Sequence, residues 1–496
     1  MSSETADRRH RPVAVALLVG LILLAFALRF YRLGAWGFEA TEMFTLRDSI
    51  QLRPNNPRPL VYLLNYYLVQ PLTPLNEFGL RLLPALFGVL AIPTFYLVSR
   101  RLVGARAALF GTAMLTVSSF HVYYSQYARY WTLVFLLSAV YPYAIYLGLR
   151  ERNRKALAVG LVTGVLAVMA HPVAVLLAGG LFLWLLASYV RLDQLTRLWS
   201  QKAVRWGTLV VVIIGLAIAV RYIPVLRNWI SERDTGKGGQ FLLHAPTTPG
   251  VKQLVLLLGF VDMVTIPVVL AGLLGINLLW QRDRPLARLL TWLWIFPVAF
   301  IFLLSFRTAV SIVYMIAAAP VFFIGTGVLL DRLASVDWNL RPRWLLAAAV
   351  MTIMIAHDMP TLISQYRDGR RWDFRGAARW LEEQQASGDV IYSDQYQVLQ
   401  HYLPGTEIQR LRGDAAPVMQ AARELRDAGG RNALWIVMPG PSHAFRTNPK
   451  LGALKGWLYQ NCQLRNTIGV GRLDFRQNLL QIYRCPPELP AGTTPP

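Results

Sequence analysis

Long apolar runs, broken by short polar clusters, fill the chain from residue 13 to about residue 361. Many reach roughly 18 residues, the length at which a helix crosses about 30 Å of hydrocarbon. The pattern predicts about eleven spans, at 13–30, 79–98, 107–122, 131–149, 156–171, 173–190, 206–226, 252–280, 289–305, 309–330 and 344–361. Only His171-Pro172 separates the spans at 156–171 and 173–190. The first run is too long, and too poor in small residues at its end, to read as a cleaved signal peptide.

Alternate connections are strongly basic. Arg8, Arg9 and Arg11 come first, then Arg100, Arg101 and Arg106, then Arg150, Arg152, Arg154 and Lys155. Arg191, Arg197, Lys202 and Arg205 continue the series, with Arg282, Arg284 and Arg288, and then Arg332, Arg341 and Arg343. The positive-inside rule places these loops in the cytoplasm. The opposite face then receives the loop 31–78, the turns near 121–130 and 306–308, the loop 227–251, and everything after about residue 362. The N-terminus is expected inside and the C-terminus outside.

Beyond residue 361 the periodicity changes. Residues 375–385 read as an amphipathic helix, 389–392 as a short strand, 415–427 as a second helix and 433–438 as an apolar strand. Residues 473–483 read as a strand pair or one long strand, and the Pro-rich tail 486–496 as disorder. Strand, helix, strand predicts a small α/β domain. The expected division is a helical membrane part over 1–361 with an outer loop 31–78, an outward α/β domain over 362–485, and a tail.

Composition agrees with a membrane protein: 55% of residues are hydrophobic, mean hydropathy is +0.39, and 16% are charged, against about 25% in soluble domains. The net charge of +23 lies largely in the short loops, where it sets orientation instead of binding nucleic acid. The rest, near the membrane and in the C-terminal third, suits anionic headgroups or a phosphate-bearing lipid. Cys462 and Cys485 both fall in the outward segment. Pairing is the expected state in an oxidising compartment, and two buried free thiols are the alternative.

The candidate chemistry gathers where the first span ends. Trp36-Gly37-Phe38-Glu39-Ala40-Thr41-Glu42 carries two carboxylates spaced by three, which one helical turn brings to one face. Glu39 and Glu42 suit a general base or a divalent-metal ligand; a solvated loop, or ion pairing with Arg32 or Arg47, is the plain alternative. Arg58, between two prolines, suits bidentate phosphate binding or interface anchoring. His121 to Trp131 reads partly as an aromatic belt, which leaves Ser125, Gln126 and Arg129 unexplained beside Tyr124. His171, Arg221, Arg307 and Lys237 also face outward; the glycines around Lys237 permit a lid. Asp262 is an intramembrane ionisable group. No Walker A, GxGxxG, zinc spacing or Ser-His-Asp signature occurs.

In order, these segments resemble the polytopic GT-C glycosyltransferases, in the family 39/83-like branch of protein O-mannosyltransferases and lipid A aminoarabinose transferases. Trp36 to Glu39 is similar to the family's Trp-x-Asp-Glu, and Pro57-Arg58-Pro59-Leu60-Val61-Tyr62 to its Pro-Pro-Leu-Tyr-Tyr. Arg81 to Gly88, Tyr124 to Trp131 and Tyr314 to Pro320 resemble three further motifs. The resemblance covers residues 10 to about 360. It implies a multi-pass protein of the bacterial inner membrane with a periplasmic C-terminal domain. It implies inverting transfer of a sugar from a polyprenyl-phosphate donor to a lipid, glycan or protein acceptor. It also implies that Arg58, Arg221 and Tyr314 lie near the donor phosphate, with Arg307 or Lys237 in support. Phe38 stands where the family carries Asp, and Tyr127 where it carries an acid. Either Glu39 or Glu42 therefore takes over the base, or the protein is a catalytically degenerate subunit that binds a lipid carrier or supports a membrane complex. A transporter would show a pseudo-repeat, and none is evident.

Overall fold

The computed structural model describes residues 3–52, 56–189, 251–306, 310–336, 344–411, 416–427, 432–439, 452–469 and 479–485. Its elements are α1 (Ser3–Phe30), α2 (Ala40–Ile50), α3 (Pro59–Leu64), α4 (Glu77–Val103), α5 (Ala105–Val117), α6 (Ser119–Ser125), α7 (Trp131–Ser138) and α8 (Tyr141–Arg150). Next come α9 (Arg154–Ala170), α10 (Val175–Tyr189), α11 (Val251–Val264), α12 (Ile266–Arg282), α13 (Arg284–Leu304), α14 (Ala319–Ser335) and α15 (Leu345–Asp368). Among the described residues six helices are long and apolar enough to cross a membrane: Pro12–Phe30, Glu77–Val103, Trp131–Arg150, Arg284–Leu304, Ile312–Ser335 and Leu345–Asp368.

The run expected as one span at 252–280 is instead two helices, bent by 88°. The cause is local. Thr265 adopts φ 82°, a conformation that β-branched residues rarely take, and a proline follows within the first two positions of α12, where its missing N–H costs nothing. The runs 107–122 and 173–190 become shorter apolar helices, Ala105–Val117 and Pro172–Ser188. The expected span at 206–226 lies outside the described residues.

Two compact units form. One combines Thr94–Thr112 with Leu137–Ala347. Its helices approach through glycine: a Cβ on Gly275 would run into Gly325 O, and one on Gly272 would lie 2.8 Å from the Phe322 backbone. Where lipid offers no hydrophobic gain, such close backbone approach is what holds helices together.

The other unit combines Met1–Pro93, Ala113–Leu136 and Ala348–Pro496. It contains α16 (Phe374–Gln384), β1 (Val390–Ser393), α17 (Tyr396–Tyr402), β2 (Ile408–Arg410), α18 (Ala416–Asp427), β3 (Leu434–Pro439), α19 (Gly452–Asn461), β4 (Gln463–Ile468) and β5 (Leu480–Cys485). The sheet order is β2-β1-β3-β5-β4. β1 runs parallel to β2 and β3, while β5 is antiparallel to β3 and β4. All six residues of β3 are buried, as a central strand covered on both faces requires. α16 buries Phe374, Ala377, Ala378 and Leu381, an i, i+3, i+4, i+7 stripe. Those side chains share one core with Ile391, Trp435 and Ile482 of the sheet, and also with Phe38, Leu46, Leu80 and Ala128. The first loop and the sheet are thus one hydrophobic body. The Cys462 and Cys485 sulfurs are bonded, joining the chain just before β4 to the end of β5.

Candidate active site

α2 begins at Glu39. Glu42, three residues on, reaches back so that its Oε2 accepts the Glu39 amide at 3.0 Å, a device that satisfies a donor the helix start leaves open. Glu42 is fully buried. Arg81, also fully buried, grips it with two hydrogen bonds, Nε to Oε1 at 2.9 Å and Nη2 to Oε2 at 2.8 Å. Arg371 Nη1 lies 3.3 Å from Oε2, and the Ala128 amide donates to Oε1 at 2.7 Å. A carboxylate has about four acceptor positions, and here all are committed. Burial would raise the Glu42 pKa, but the charges of Arg371 and Arg81 overcome it and hold the group at about 2.

Arg81 also donates to Leu33 O, Trp36 O and Gly37 O, wrapping the start of the loop around its guanidinium. Arg371 donates to Gln126 O at 2.7 Å and lies over the Tyr127 ring, 5.1 Å from its centre. Together they tie the first loop, α4, the 126–130 turn and the C-terminal segment to one carboxylate.

Glu39 sits differently. It is half-buried at the helix start, and its Oε2 accepts the Tyr127 hydroxyl at 3.0 Å. The Tyr127 hydroxyl also meets Thr41 Oγ1. Burial, with the Glu39 charge beside it, pushes the Tyr127 phenol well above its ordinary range, so it stays protonated and donates. Arg129, buried, donates to Thr41 O at 3.0 Å, to Thr45 Oγ1 at 3.2 Å and to the Tyr130 hydroxyl at 2.9 Å. Arg58 Nη1 donates to the same Tyr130 hydroxyl at 2.6 Å, and its Nε is buried without a partner. Polar contacts therefore link Glu39, Tyr127, Thr41, Arg129, Tyr130 and Arg58 in series, passing from the Thr41 hydroxyl to its backbone carbonyl. The series places a half-buried carboxylate at one end and two guanidiniums sharing a hydroxyl at the other. Such a set can accept a proton at one end and hold an oxyanion at the other.

Phe38 points away from this chain. It is fully buried, its ring centre lies 5.4 Å from that of His401, and its amide donates to the Tyr402 hydroxyl at 2.7 Å. Phe38, which the resemblance sets where the family carries Asp, is part of the core.

Of the other residues singled out above, Gln126 is buried, donating to Leu28 O, Arg29 O and Tyr31 O and accepting from Gln365. The Tyr124 ring lies among those of Tyr123, Tyr127 and Trp131. His171 and Tyr314 belong to the other unit, with ring centres 5.5 Å apart; His171 Nδ1 accepts the Val173 amide. Arg221, Lys237 and Arg307 lie outside the described residues. Sequence reasoning assigned no role to Arg371, Tyr130 or Thr41. Arg81 carried a usable signal, as a lone cation inside an apolar run. Among the described residues no three His, Cys, Asp or Glu side chains group to hold a metal. Glu42 is already enclosed by guanidiniums, so a divalent cation does not fit this set.

No protein-family model and no curated protein matches the sequence. Solved structures do. ArnT from Cupriavidus metallidurans bound to undecaprenyl phosphate aligns over 95% of this chain and 97% of its own, with a TM-score of 0.51 and 16% identity. The archaeal oligosaccharyltransferase AglB from Archaeoglobus fulgidus, in complex with an inhibitory peptide and a dolichol-phosphate, aligns over 88% of this chain and 70% of its own, with a TM-score of 0.54 and 11% identity. A complex of the Archaeoglobus enzyme with Zn and sulfate aligns with a TM-score of 0.52. The chain has the fold of the GT-C glycosyltransferases.

Proposed function

We propose that the protein is a membrane glycosyltransferase that takes a sugar from a polyprenyl-phosphate carrier and passes it to a hydroxyl acceptor outside the cytoplasm. The observation that carries this reading is the series of polar contacts from Glu39 to Arg58. A membrane-borne lipid phosphate is also present in both ArnT and AglB structures of the same fold. Residues 1–361 form the membrane part, 362–485 the outward domain, and the basic alternate loops lie inside.

In the reaction the acceptor oxygen attacks the anomeric carbon and its proton passes to Glu39. The bond from that carbon to the carrier oxygen breaks, and its electron pair leaves on the polyprenyl phosphate. Tyr127 orients Glu39. Arg58 and Arg129, aligned through Tyr130, stabilise the charge that grows on the phosphate; the resemblance also implies phosphate-side roles for Arg221, Lys237, Arg307 and Tyr314. Gln126 and Tyr124 shape the acceptor side, and the sequence pattern alone offers His171 as a further acceptor-side residue. Glu42 holds the loop in place; its acceptor positions are full. No step passes through a metal.

The test is binding and turnover by purified protein with polyprenyl-phosphate sugars. Glu39→Gln should bind donor but not transfer, and Arg58→Ala should weaken donor binding. Full turnover by Glu39→Gln would sink the base assignment. The second reading, a carrier-binding subunit without catalysis, is favoured by Phe38 in the core. It predicts Arg58-dependent binding and no turnover with any donor.

A further inference from the structure

A second feature of the first unit lies outside the polar chain. A cavity of about 290 Å³ opens beside Trp36, Arg367, Arg371, Trp372, Arg375 and Arg379. It sits at the C-terminal end of α15, where that helix gives way to α16. The size falls at the small end of ligand pockets.

Three residues lining the cavity carry buried N–H groups without a partner: Trp36 Nε1, Arg367 Nε and Arg371 Nε. A buried donor left unpaired is costly, and native proteins leave few of them. All three are donors, in a lining that also carries the guanidiniums of Arg375 and Arg379. The nearby carboxylates are already taken. Asp368 accepts from Arg367 Nη2 at 3.1 Å and the Arg370 amide at 2.8 Å. Asp373 accepts the Gly376 amide at the start of α16. Glu77 accepts from Arg375 and Tyr402. Arg379, exposed on α16, forms no ion pair among the described residues.

We infer that this cavity is a binding site for a phosphate group, free or carried on a lipid headgroup. Planar guanidiniums bind such oxyanions with several hydrogen bonds at once. The indole N–H adds a neutral donor. Arg371 is shared with the Glu42 cluster, so an occupied site would also stiffen the loop that carries Glu39. The site does not depend on the transfer reaction.

The test uses full-length protein in neutral detergent titrated with inorganic phosphate, followed by phosphorus NMR and by thermal melting. A parallel arm uses nanodiscs of phosphatidylcholine with and without phosphatidic acid. Arg379→Gln should weaken phosphate binding about tenfold, the factor for one charge-assisted hydrogen bond, and leave melting in phosphate-free buffer unchanged. Trp36→Phe keeps the ring, removes the N–H and should weaken binding several-fold. Binding of free phosphate assigns a soluble source. Stabilisation by phosphatidic acid alone, lost in the same variants, assigns a lipid one. Either probe binding with equal strength in wild type, Arg379→Gln and Trp36→Phe overturns the proposal, as does binding of neither probe. In those cases water fills the cavity.

Discussion

Replacing Glu42 with Gln separates scaffold from chemistry. The substitution keeps shape and removes the charge that two buried guanidiniums face, Arg81 at 0% exposure and Arg371 at 3%. Breaking a buried pair by deleting one partner typically costs about 3–5 kcal/mol, because the other charge is left uncompensated. The carboxyl gives an independent figure. Its pKa falls from 4.5 to about 2, and at about 1.4 kcal/mol per tenfold change in proton affinity this is worth about 3 kcal/mol. The sign follows from linkage. The folded-state pKa is depressed, so the stabilisation is fully present above pH 4.5 and is lost as pH falls through about 2. The assay is thermal unfolding of purified protein in detergent. For a chain of 496 residues the unfolding entropy sets about 1 °C per kcal/mol, so Glu42→Gln should melt about 3 °C or more below wild type at pH 7, and the gap should close toward pH 2. Glu39→Gln should melt closer to wild type than Glu42→Gln does, since its carboxylate is only half-buried and accepts the Tyr127 hydroxyl, a neutral donor worth about 1 kcal/mol. Equal melting of Glu42→Gln and wild type at pH 7 would refute the reasoning.

Three further outcomes follow from the same contacts. Tyr127→Phe removes the hydroxyl that orients Glu39; transfer should fall about tenfold while donor affinity, measured separately, holds. Phe38→Asp places a carboxylate in the core against Phe374 and His401, so it should lower stability by more than about 3 kcal/mol and give no turnover above wild type, as read by unfolding and turnover. Cys462→Ser with Cys485→Ser should cost about 2–4 kcal/mol, with the loss confined to the β4–β5 end in hydrogen exchange.

Much of the architecture is legible because hydrocarbon and packed cores impose strong periodicity. The helix read at 375–385 forms at Phe374–Gln384, and the strand read at 433–438 forms at Leu434–Pro439. Short elements were missed for a physical reason. β2 is three residues with one buried position, and β4 is nowhere fully buried, so neither carries a pattern; pairing with neighbours makes them strands. The break at Thr265 was hidden inside a continuous apolar run. At the site, Glu39, Glu42, Arg58 and Arg129 stood out as charges at a membrane boundary. Their division of labour did not, because it depends on Arg371. That residue is one arginine among Arg367, Arg370 and Arg371, where sequence offers only interface anchoring.

The Glu42–Arg371 contact spans 329 residues, and this has a consequence for how the protein is made. At about 5–20 residues per second, Glu42 leaves the ribosome tens of seconds before its second arginine exists. For that interval the early loop has Arg81 alone to hold it. Every intervening segment must be threaded into the bilayer before the clasp can close. Closure thus reports that insertion has run to the last span, and a chain truncated before residue 371 would present an unfinished loop to quality-control proteases.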